Sequence, residues 1–261
     1  MQKFEKITSR ENPNIKLTVS LLSGSKKRKE SGLFVLEGLR LCQDAANEKY
    51  PVELFFISES AFSRYNDKAE EFAAISARSF ILPDNLFSKI SDTVNPQGFL
   101  FVCKTTEKLT ALSKKGKYIA LENLSDPSNI GAVARTAEAL GFDGIVITND
   151  CCDPFSPKSL RASMGALLRI PVMTADSLIE TAKRFEITTY SAVVHTKANP
   201  INQVDFKEGS MLIIGNEANG IKKETVEASS MLITIPMEGR AESLNAATAA
   251  SIIMWEMCRR I

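Results

Sequence analysis

Residues 118–140 read YIALENLSDPSNIGAVARTAEAL, and this stretch defines the architecture of the chain. Its first four residues are apolar, as in a buried strand. A turn of sequence Asp-Pro-Ser-Asn follows at 126–129, and helical spacing continues to about residue 140. A second apolar run at 144–148 predicts another strand. A strand, a helix and a strand within about 30 residues are typical of a β-α-β unit, which places both strands parallel in one sheet.

The same alternation continues to the C-terminus. Predicted strands are apolar and β-branched, as in a parallel sheet buried on both faces; they span residues 118–121, 144–148, 188–194, 211–214 and 231–235. Predicted helices span residues 129–140, 158–168, 177–185, 222–228 and 244–260. The last helix carries small residues along one face, which would let another helix pack closely. These patterns predict an α/β fold.

Strands and helices also alternate in the first hundred residues, which predicts a smaller α/β layered domain. Its predicted strands are 33–36, 53–57, 79–82 and 99–102, and its predicted helices are 37–47, 66–77 and 85–90. A polar stretch then separates the two halves. We therefore predict a first domain at 1–104, a linker at 105–117 and a second domain at 118–261.

Composition excludes several classes of protein. The 261 residues are 44% hydrophobic and 24% charged with a net charge of +1, which argues against a polybasic nucleic-acid coat. The single histidine, His195, excludes multi-histidine metal sites, and we expect no metal. Five cysteines without a C-x-x-C pair indicate a reducing, cytoplasmic location. No apolar run approaches the roughly 18 residues that span a bilayer, so we expect no membrane contact.

One local charge cluster stands out from this balance. The first thirty residues carry a net charge of +5, concentrated in a run flanked by serine and glycine that comprises Lys26, Lys27, Arg28 and Lys29. Such a run is usually a solvated loop. The alternative is an arm that contacts RNA phosphates. The sequence leaves both interpretations open.

Common nucleotide and hydrolase motifs are missing. The chain has no G-x-G-x-x-G after a strand, no G-x-x-x-x-G-K-[ST], no G-x-S-x-G and no H-E-x-x-H. A nicotinamide fold, a phosphate-binding loop and a hydrolase triad are therefore unsupported.

Three segments that follow predicted strands carry polar residues, and such strand ends are where parallel sheets bind ligands. The first holds Asn129 and Arg135, and small apolar neighbours around Arg135 indicate that it lies in a cleft. The second, 212–220, places Glu217 just after the strand. In the third, Ser243 has an alternative role as a helix N-cap, whereas Asn245, in the first helical turn, has no comparable structural reason.

In this order, the three segments resemble the signature motifs of the SpoU (TrmH-type) RNA 2′-O-ribose methyltransferases of the SPOUT superfamily. The resemblance covers residues 118–260. Residues 159–171, SLRASMGALLRIP, are similar to ribosomal-RNA members, and the N-terminal part looks like their L30e-like substrate-binding domain. The resemblance implies a deep C-terminal trefoil knot, an exception to the usual rule against knots. It also implies S-adenosyl-L-methionine as methyl donor and a homodimer with the site near the subunit interface.

The resemblance also implies particular site residues. The expected catalytic residues are Asn129, Arg135, Glu217, Ser243 and Asn245. The expected cofactor-binding residues are Val194, His195, Thr196, Gly215, Asn216, Gly220, Ile235, Met237 and Leu244. One departure is visible, because Ala247 stands where the family often has serine.

The reaction so implied is attack of a ribose 2′-OH on the sulfonium methyl group. Because guanidinium groups stay protonated in proteins, we expect Arg135 to clamp a phosphate and stabilise developing oxyanion charge. Ser243 and Asn245 would orient the ribose, and Glu217 would orient Arg135 or a cofactor amine. The favoured substrate is 23S ribosomal RNA. Transfer RNA is one alternative, and a non-catalytic RNA-binding or ribosome assembly factor is another.

Overall fold

The computed structural model describes residues 4–106 and 109–259. The chain folds into two compact units. The first comprises residues 1–106 together with 155–160, and the second comprises residues 107–154 and 161–261. Within the described ranges, no helix combines the length and apolarity needed to cross a membrane.

The first unit is built on a mixed five-stranded sheet of order β1-β4-β3-β5-β2. Strands β1, β4 and β3 are parallel, and β5 is antiparallel to β3 and β2. The elements up to residue 104 are β1 (Glu5–Lys6), α1 (Pro13–Ser23), α2 (Ser25–Ser31), β2 (Leu33–Glu37), α3 (Leu39–Asn47), β3 (Val52–Ser58), α4 (Glu59–Arg64), α5 (Asn66–Ile75), β4 (Ser76–Leu82), α6 (Asp84–Phe87) and β5 (Phe99–Lys104). Buried phenylalanines dominate the core on both faces of the sheet.

The basic run of the first thirty residues is helical, which corrects the expectation of a loop. It lies in α2, and the Arg28 side chain is buried, donating hydrogen bonds to the carbonyl oxygens of Leu21 and Leu22. Those carbonyls lie in the last turn of α1, where helix carbonyl groups lack intrahelical donors. Arg28 therefore cannot serve as a free phosphate contact, while the three lysines remain exposed.

The second unit contains a seven-stranded sheet of order β10-β12-β9-β11-β6-β7-β8, in which every pair is parallel. From residue 117 onward the elements are β6 (Lys117–Leu121), α7 (Pro127–Ala139), β7 (Gly144–Thr148), α8 (Pro157–Ala162), α9 (Ala166–Arg169), β8 (Val172–Ala175), α10 (Leu178–Arg184), β9 (Thr188–Ala192), β10 (Asn199–Pro200), a 3₁₀ turn (Ile201–Gln203), β11 (Ser210–Ile214), α11 (Lys223–Ala228), β12 (Met231–Thr234) and α12 (Ala246–Arg259). The predicted α/β fold class is confirmed, and the knot stays a prediction.

The strand order reverses between β6 and β11. The chain leaves β6 toward β7 and β8, and it then returns to β9 and β11 on the opposite side of β6. Leu121 pairs with Ile214 in the register, so both strands end together. Ligands of parallel sheets bind at such a reversal, outside the carboxyl ends of the strands.

The helix predicted at 158–168 and the final helix both depart from prediction. The helix expected at 158–168 is interrupted, because Met164 and Gly165 have φ values of 51° and 85°. The final helix begins at Ala246, and its small residues are not free to pack against another molecule. Ala247 and Ala250 are buried within the chain, where α12 packs against α7.

Candidate active site

The loops after β6 and β11 meet at the carboxylate of Glu217. This carboxylate accepts hydrogen bonds from Asn129 Nδ2 at 2.8 Å and from Ser125 Oγ at 2.9 Å. Asn129 is held in place because Asp126 caps α7 by accepting from the Ser128 backbone at 3.0 Å, which sets Asn129 in the first helical turn. The Asn129 side chain is buried there.

The third segment joins the same network through Asn245. Asn245 Nδ2 donates to Asn129 Oδ1 at 3.1 Å, so a continuous chain of hydrogen bonds runs from Asn245 through Asn129 to Glu217. Asn245 Oδ1 also accepts from the backbone of Ala247 at 2.9 Å and Thr248 at 3.2 Å. The N-cap of α12 is thus Asn245, which corrects the assignment of that role to Ser243.

The network holds Glu217 in its ionised form. Partial burial raises the pKa of this carboxyl, but hydrogen bonds from Asn129, the Glu217 backbone and Ser125 outweigh burial and leave the pKa below its ordinary value of 4.5. A carboxylate stabilised in this way is a weak proton acceptor. Its hydrogen bonds to Ser125 and Asn129 hold the loop after β11 against the segment that follows β6.

Beside this network lies a cavity of about 500 Å³ at the ends of β9, β11 and β12. Seven of the nine expected cofactor-binding residues line it: Val194, Gly215, Asn216, Gly220, Ile235, Met237 and Leu244. Glu217 and Ser243 line it as well. His195 and Thr196 do not, and His195 Nδ1 instead accepts from the Lys197 backbone at 3.1 Å within its own loop.

The lining of this cavity suits a cationic organic ligand. Its volume lies within the roughly 300–1,000 Å³ typical of small-molecule sites. Ile235, Leu244 and other apolar side chains form its walls, while Glu217 and Glu242 contribute carboxylates. Among the described residues that line it there is no lysine, arginine or histidine. A sulfonium or ammonium group fits this charge, whereas a chain of phosphates does not.

The cavity floor depends on a close backbone contact at Gly215. A Cβ atom at this position would lie 2.3 Å from the backbone of Gly220 and Ile221. The loop is closed further by Asn216, whose Nδ2 donates to the Asn123 carbonyl at 2.7 Å and whose Oδ1 accepts from the Ala218 backbone at 2.9 Å. Asn216 therefore ties the second motif to the loop after β6.

The small apolar neighbours of Arg135 in the sequence predicted that it lies in a cleft. This prediction is wrong. The Arg135 side chain is exposed on α7, and it makes no hydrogen bond or ion pair with residues 4–106 or 109–259. Within the same ranges, the Ser243 hydroxyl also has no hydrogen bond. Glu217 is bonded to Asn129 and Ser125 rather than to Arg135. Arg135 and Ser243 are thus available to a ligand.

The sequence reasoning missed Glu122, a buried acid directly after β6. Its carboxylate accepts from the Lys222 backbone and from Thr225 Oγ1, each at 2.6 Å, and so holds the start of α11 against the sheet. Lys222 Nζ also pairs with Asp150 at 2.8 Å. In the sequence, the sign of a special role for Glu122 is its position as a charged residue immediately after the apolar run of residues 118–121.

Cys151 and Cys152 lie next to each other in the loop after β7. Cys151 is buried, and its Sγ donates to the Leu121 carbonyl at 3.2 Å. Burial raises the pKa of the Cys151 thiol, and burial together with the neighbouring Cys151 raises the pKa of Cys152 to about 12. Both side chains are therefore protonated.

Fold and site together define a parallel α/β protein with an acidic cavity at the carboxyl ends of its strands, whose lining suits a cationic small molecule. Residues 116–255 match the model of the SpoU rRNA methylase family, and residues 3–100 match the MRM3-like substrate binding domain. The chain belongs to the SpoU rRNA methylase family.

Individual relatives match over nearly the whole chain. The 23S rRNA (guanosine(2553)-2′-O)-methyltransferase RlmP of Bacillus subtilis is 28% identical, covering 97% of this chain and 99% of the relative. The 23S rRNA (uridine(2479)-2′-O)-methyltransferase of Streptomyces viridochromogenes is 27% identical over 98% and 92%. A solved AdoMet-bound rRNA methyltransferase from Sinorhizobium meliloti has a TM-score of 0.86 and 27% identity over 99% and 98%. The predicted enzyme class, an RNA methyltransferase with S-adenosylmethionine as methyl donor, is confirmed.

Proposed function

We propose that this chain transfers a methyl group from S-adenosylmethionine to a ribose 2′-OH of 23S ribosomal RNA. The observation that carries the proposal is the hydrogen-bond chain from Asn245 through Asn129 to Glu217, which brings all three motifs to the edge of one cavity. The two relatives named above act on 23S rRNA, but on different bases.

The residues present fit the methyl donor. Ile235 and Leu244 offer an apolar slot for a flat heterocycle, and Glu217 and Glu242 offset positive charge. When bound, the donor supplies a methyl group that is already activated by its sulfonium. The protein therefore has to align the acceptor and stabilise the charge that develops on its oxygen.

We assign the acceptor side of the site to the exposed polar groups. Arg135 would clamp an RNA phosphate and stabilise developing negative charge, because a guanidinium remains a cation and presents several donors. Ser243 would contact the ribose through its free hydroxyl. Asn129, Asn245 and Glu217 would hold the three loops in register, so Glu217 would act as an anchor instead of orienting Arg135 or a cofactor amine.

The N-terminal part, residues 1–104, would bind RNA, in keeping with the substrate-binding family model that matches it. We place the action of the enzyme in the cytoplasm. The five cysteines, all of them free thiols, suit a reducing compartment.

We also propose a homodimer that uses the outer face of α12. Trp255 is 61% exposed and Ile252 is 39% exposed, and because they lie one helical turn apart they form an exposed apolar patch on α12. Light scattering should give twice the chain mass of 28.7 kDa, and Trp255→Asp should give a monomer. A wild-type monomer at micromolar concentration would contradict the dimer.

The function itself is tested by two measurements on the full chain. Calorimetry should detect S-adenosylmethionine binding, and ribose-methylation mapping of 23S rRNA transcripts should show one protected 2′-OH after incubation with the enzyme. Cofactor binding without transfer to any RNA would favour a non-catalytic binding protein. Methyl transfer to tRNA and not to 23S rRNA would identify tRNA as the substrate.

A further inference from the structure

The described arginines of the first unit fall into two groups. Three have partners: Arg10 pairs with Glu11, Arg78 pairs with Glu5, and Arg28 is buried against the end of α1. Arg40 and Arg64 are exposed and make no hydrogen bond or ion pair with any residue that the structure describes. An unpaired guanidinium keeps its full capacity to bind a planar anion such as phosphate.

The two unpaired arginines lie at adjoining cavities. Arg64 lines a cavity of about 380 Å³, and Arg40 lines another of about 390 Å³. Both cavities share Leu39 and Gln97, so they form one continuous surface. Asp44 lies on the Arg40 side, and Lys68 there is already paired with Glu71 at 2.5 Å. Among the described residues that line this surface, the two guanidinium groups are thus the cations that remain free.

An aromatic ring completes the surface between them. Tyr65 lines the first cavity, is 41% exposed, and rests on Phe99 with ring centroids 5.8 Å apart. The contact with Phe99 fixes the ring and leaves part of it open to solvent. A fixed, half-exposed ring beside free arginines is the combination with which proteins stack and hold unpaired bases of RNA.

The rim of this surface is ordered by its own hydrogen bonds. Gln97 Oε1 accepts from the Leu39 backbone at 2.9 Å, and the carboxylate of Glu37 accepts from the Asp92 backbone at 2.8 Å and from Ser91 Oγ at 2.5 Å. The segment 91–97 is therefore anchored at one end to the last residue of β2 and at the other to the first residue of α3. A preorganised surface loses less entropy when it binds.

We propose that Arg40, Arg64 and Tyr65 form the surface on which the first unit binds an unpaired segment of substrate RNA. The guanidinium groups hold phosphates, and a base stacks on the Tyr65 ring. The Lys26–Lys29 run lines neither of these cavities. The proposal rests on the proposed function only in taking the methylated RNA as the ligand, because the surface belongs to a unit separate from the cavity.

The test uses the full chain and fluorescence anisotropy with an unstructured RNA of about ten nucleotides. The double variant Arg40→Ala/Arg64→Ala should flatten the log–log dependence of affinity on salt by about 1.4, since each lost single-strand phosphate contact removes about 0.7. Tyr65→Ala should weaken binding by about 5- to 150-fold, and Tyr65→Phe should retain it. The matched control is Arg10→Ala/Lys16→Ala, which removes two charges that are both paired with Glu11.

The outcomes separate this proposal from the proposed function. A wild-type chain that methylates 23S rRNA, with a double variant that binds RNA as the wild type does, would overturn the surface alone. RNA binding that depends on Arg40, Arg64 and Tyr65 would support the surface even if no methylation occurred. Polyglutamate and unlabelled RNA are compared as competitors. If polyglutamate displaced the labelled RNA as effectively as unlabelled RNA does, the site would recognise charge without bases, and the proposal would be wrong.

Discussion

Asn245 is predicted to have two separable roles, one in the stability of α12 and one in the site. Its Oδ1 caps the helix through the backbone of Ala247 and Thr248, while its Nδ2 donates to Asn129 at 3.1 Å. Serine retains the cap but has no amide donor at that position, and alanine has neither. The pair of variants Asn245→Ser and Asn245→Ala therefore divides the two roles.

The expected energies follow from these bonds. Loss of an N-cap costs about 1 kcal/mol, and loss of a neutral hydrogen bond costs about 0.5–1.5 kcal/mol. Asn245→Ala should thus lower the free energy of unfolding by roughly 1.5–2.5 kcal/mol and Asn245→Ser by roughly 0.5–1.5 kcal/mol. Both variants leave Asn129 without its donor, and misplacement of this kind can slow transfer by about 10².

Urea unfolding and single-turnover methyl transfer measure the two roles on the same preparations. We expect Asn245→Ser to be more stable than Asn245→Ala and to transfer the methyl group no faster. If Asn245→Ser recovered the wild-type rate, the bond to Asn129 would have no part in the reaction. If Ser and Ala were equally unstable, the assignment of the cap would be wrong.

Three further outcomes are expected. Arg135→Ala should lower the single-turnover rate by about 10²–10³ without changing cofactor affinity, since its guanidinium is outside the cavity lining; a wild-type rate would contradict its role. Gly215→Ala should abolish calorimetric cofactor binding because its Cβ would meet backbone at 2.3 Å, whereas Gly220→Ala, with open space around it, should cost only about 1–2 kcal/mol of backbone strain and retain binding. Because the pKa of Glu217 is lowered in the folded protein, its carboxylate stabilises the fold above pH 4.5, and this contribution is lost as the pH falls below that value. The free energy of unfolding in urea should therefore fall less steeply with decreasing pH in Glu217→Gln than in the wild type.

Much of the site could be predicted because its residues follow buried strands. An apolar run ends at a definite residue, and in a parallel sheet every such end lies at the same edge. The predicted strand ends therefore put Glu217 at the same edge of the sheet as Asn129. The partners of Glu217 could not be predicted in the same way. The bond between Asn129 and Glu217 joins residues 88 positions apart, and periodicity contains no information about side-chain direction at that separation.

The errors have the same physical origin. Arg28 looks like one more charge in a basic run, but its guanidinium satisfies carbonyl groups at the end of the preceding helix. The small residues of α12 look like an open packing face, but α7 of the same chain covers them. In each case a tertiary interaction decides whether a side chain is free, and local composition cannot report that interaction.

Charge distribution explains how one nearly neutral chain can bind two substrates of opposite sign. A net charge of +1 gives no general attraction for RNA, so the attraction has to come from individual cations without partners. Within the described ranges, Arg135 in the second unit and Arg40 and Arg64 in the first are such cations, and none of them lines the cofactor cavity. The cavity itself contains Glu217 and Glu242, which favour a cationic donor and repel phosphate. In the roles proposed above, the acidic cavity would hold the cationic methyl donor and the unpaired arginines would hold RNA phosphates, so that neither site attracts the ligand of the other.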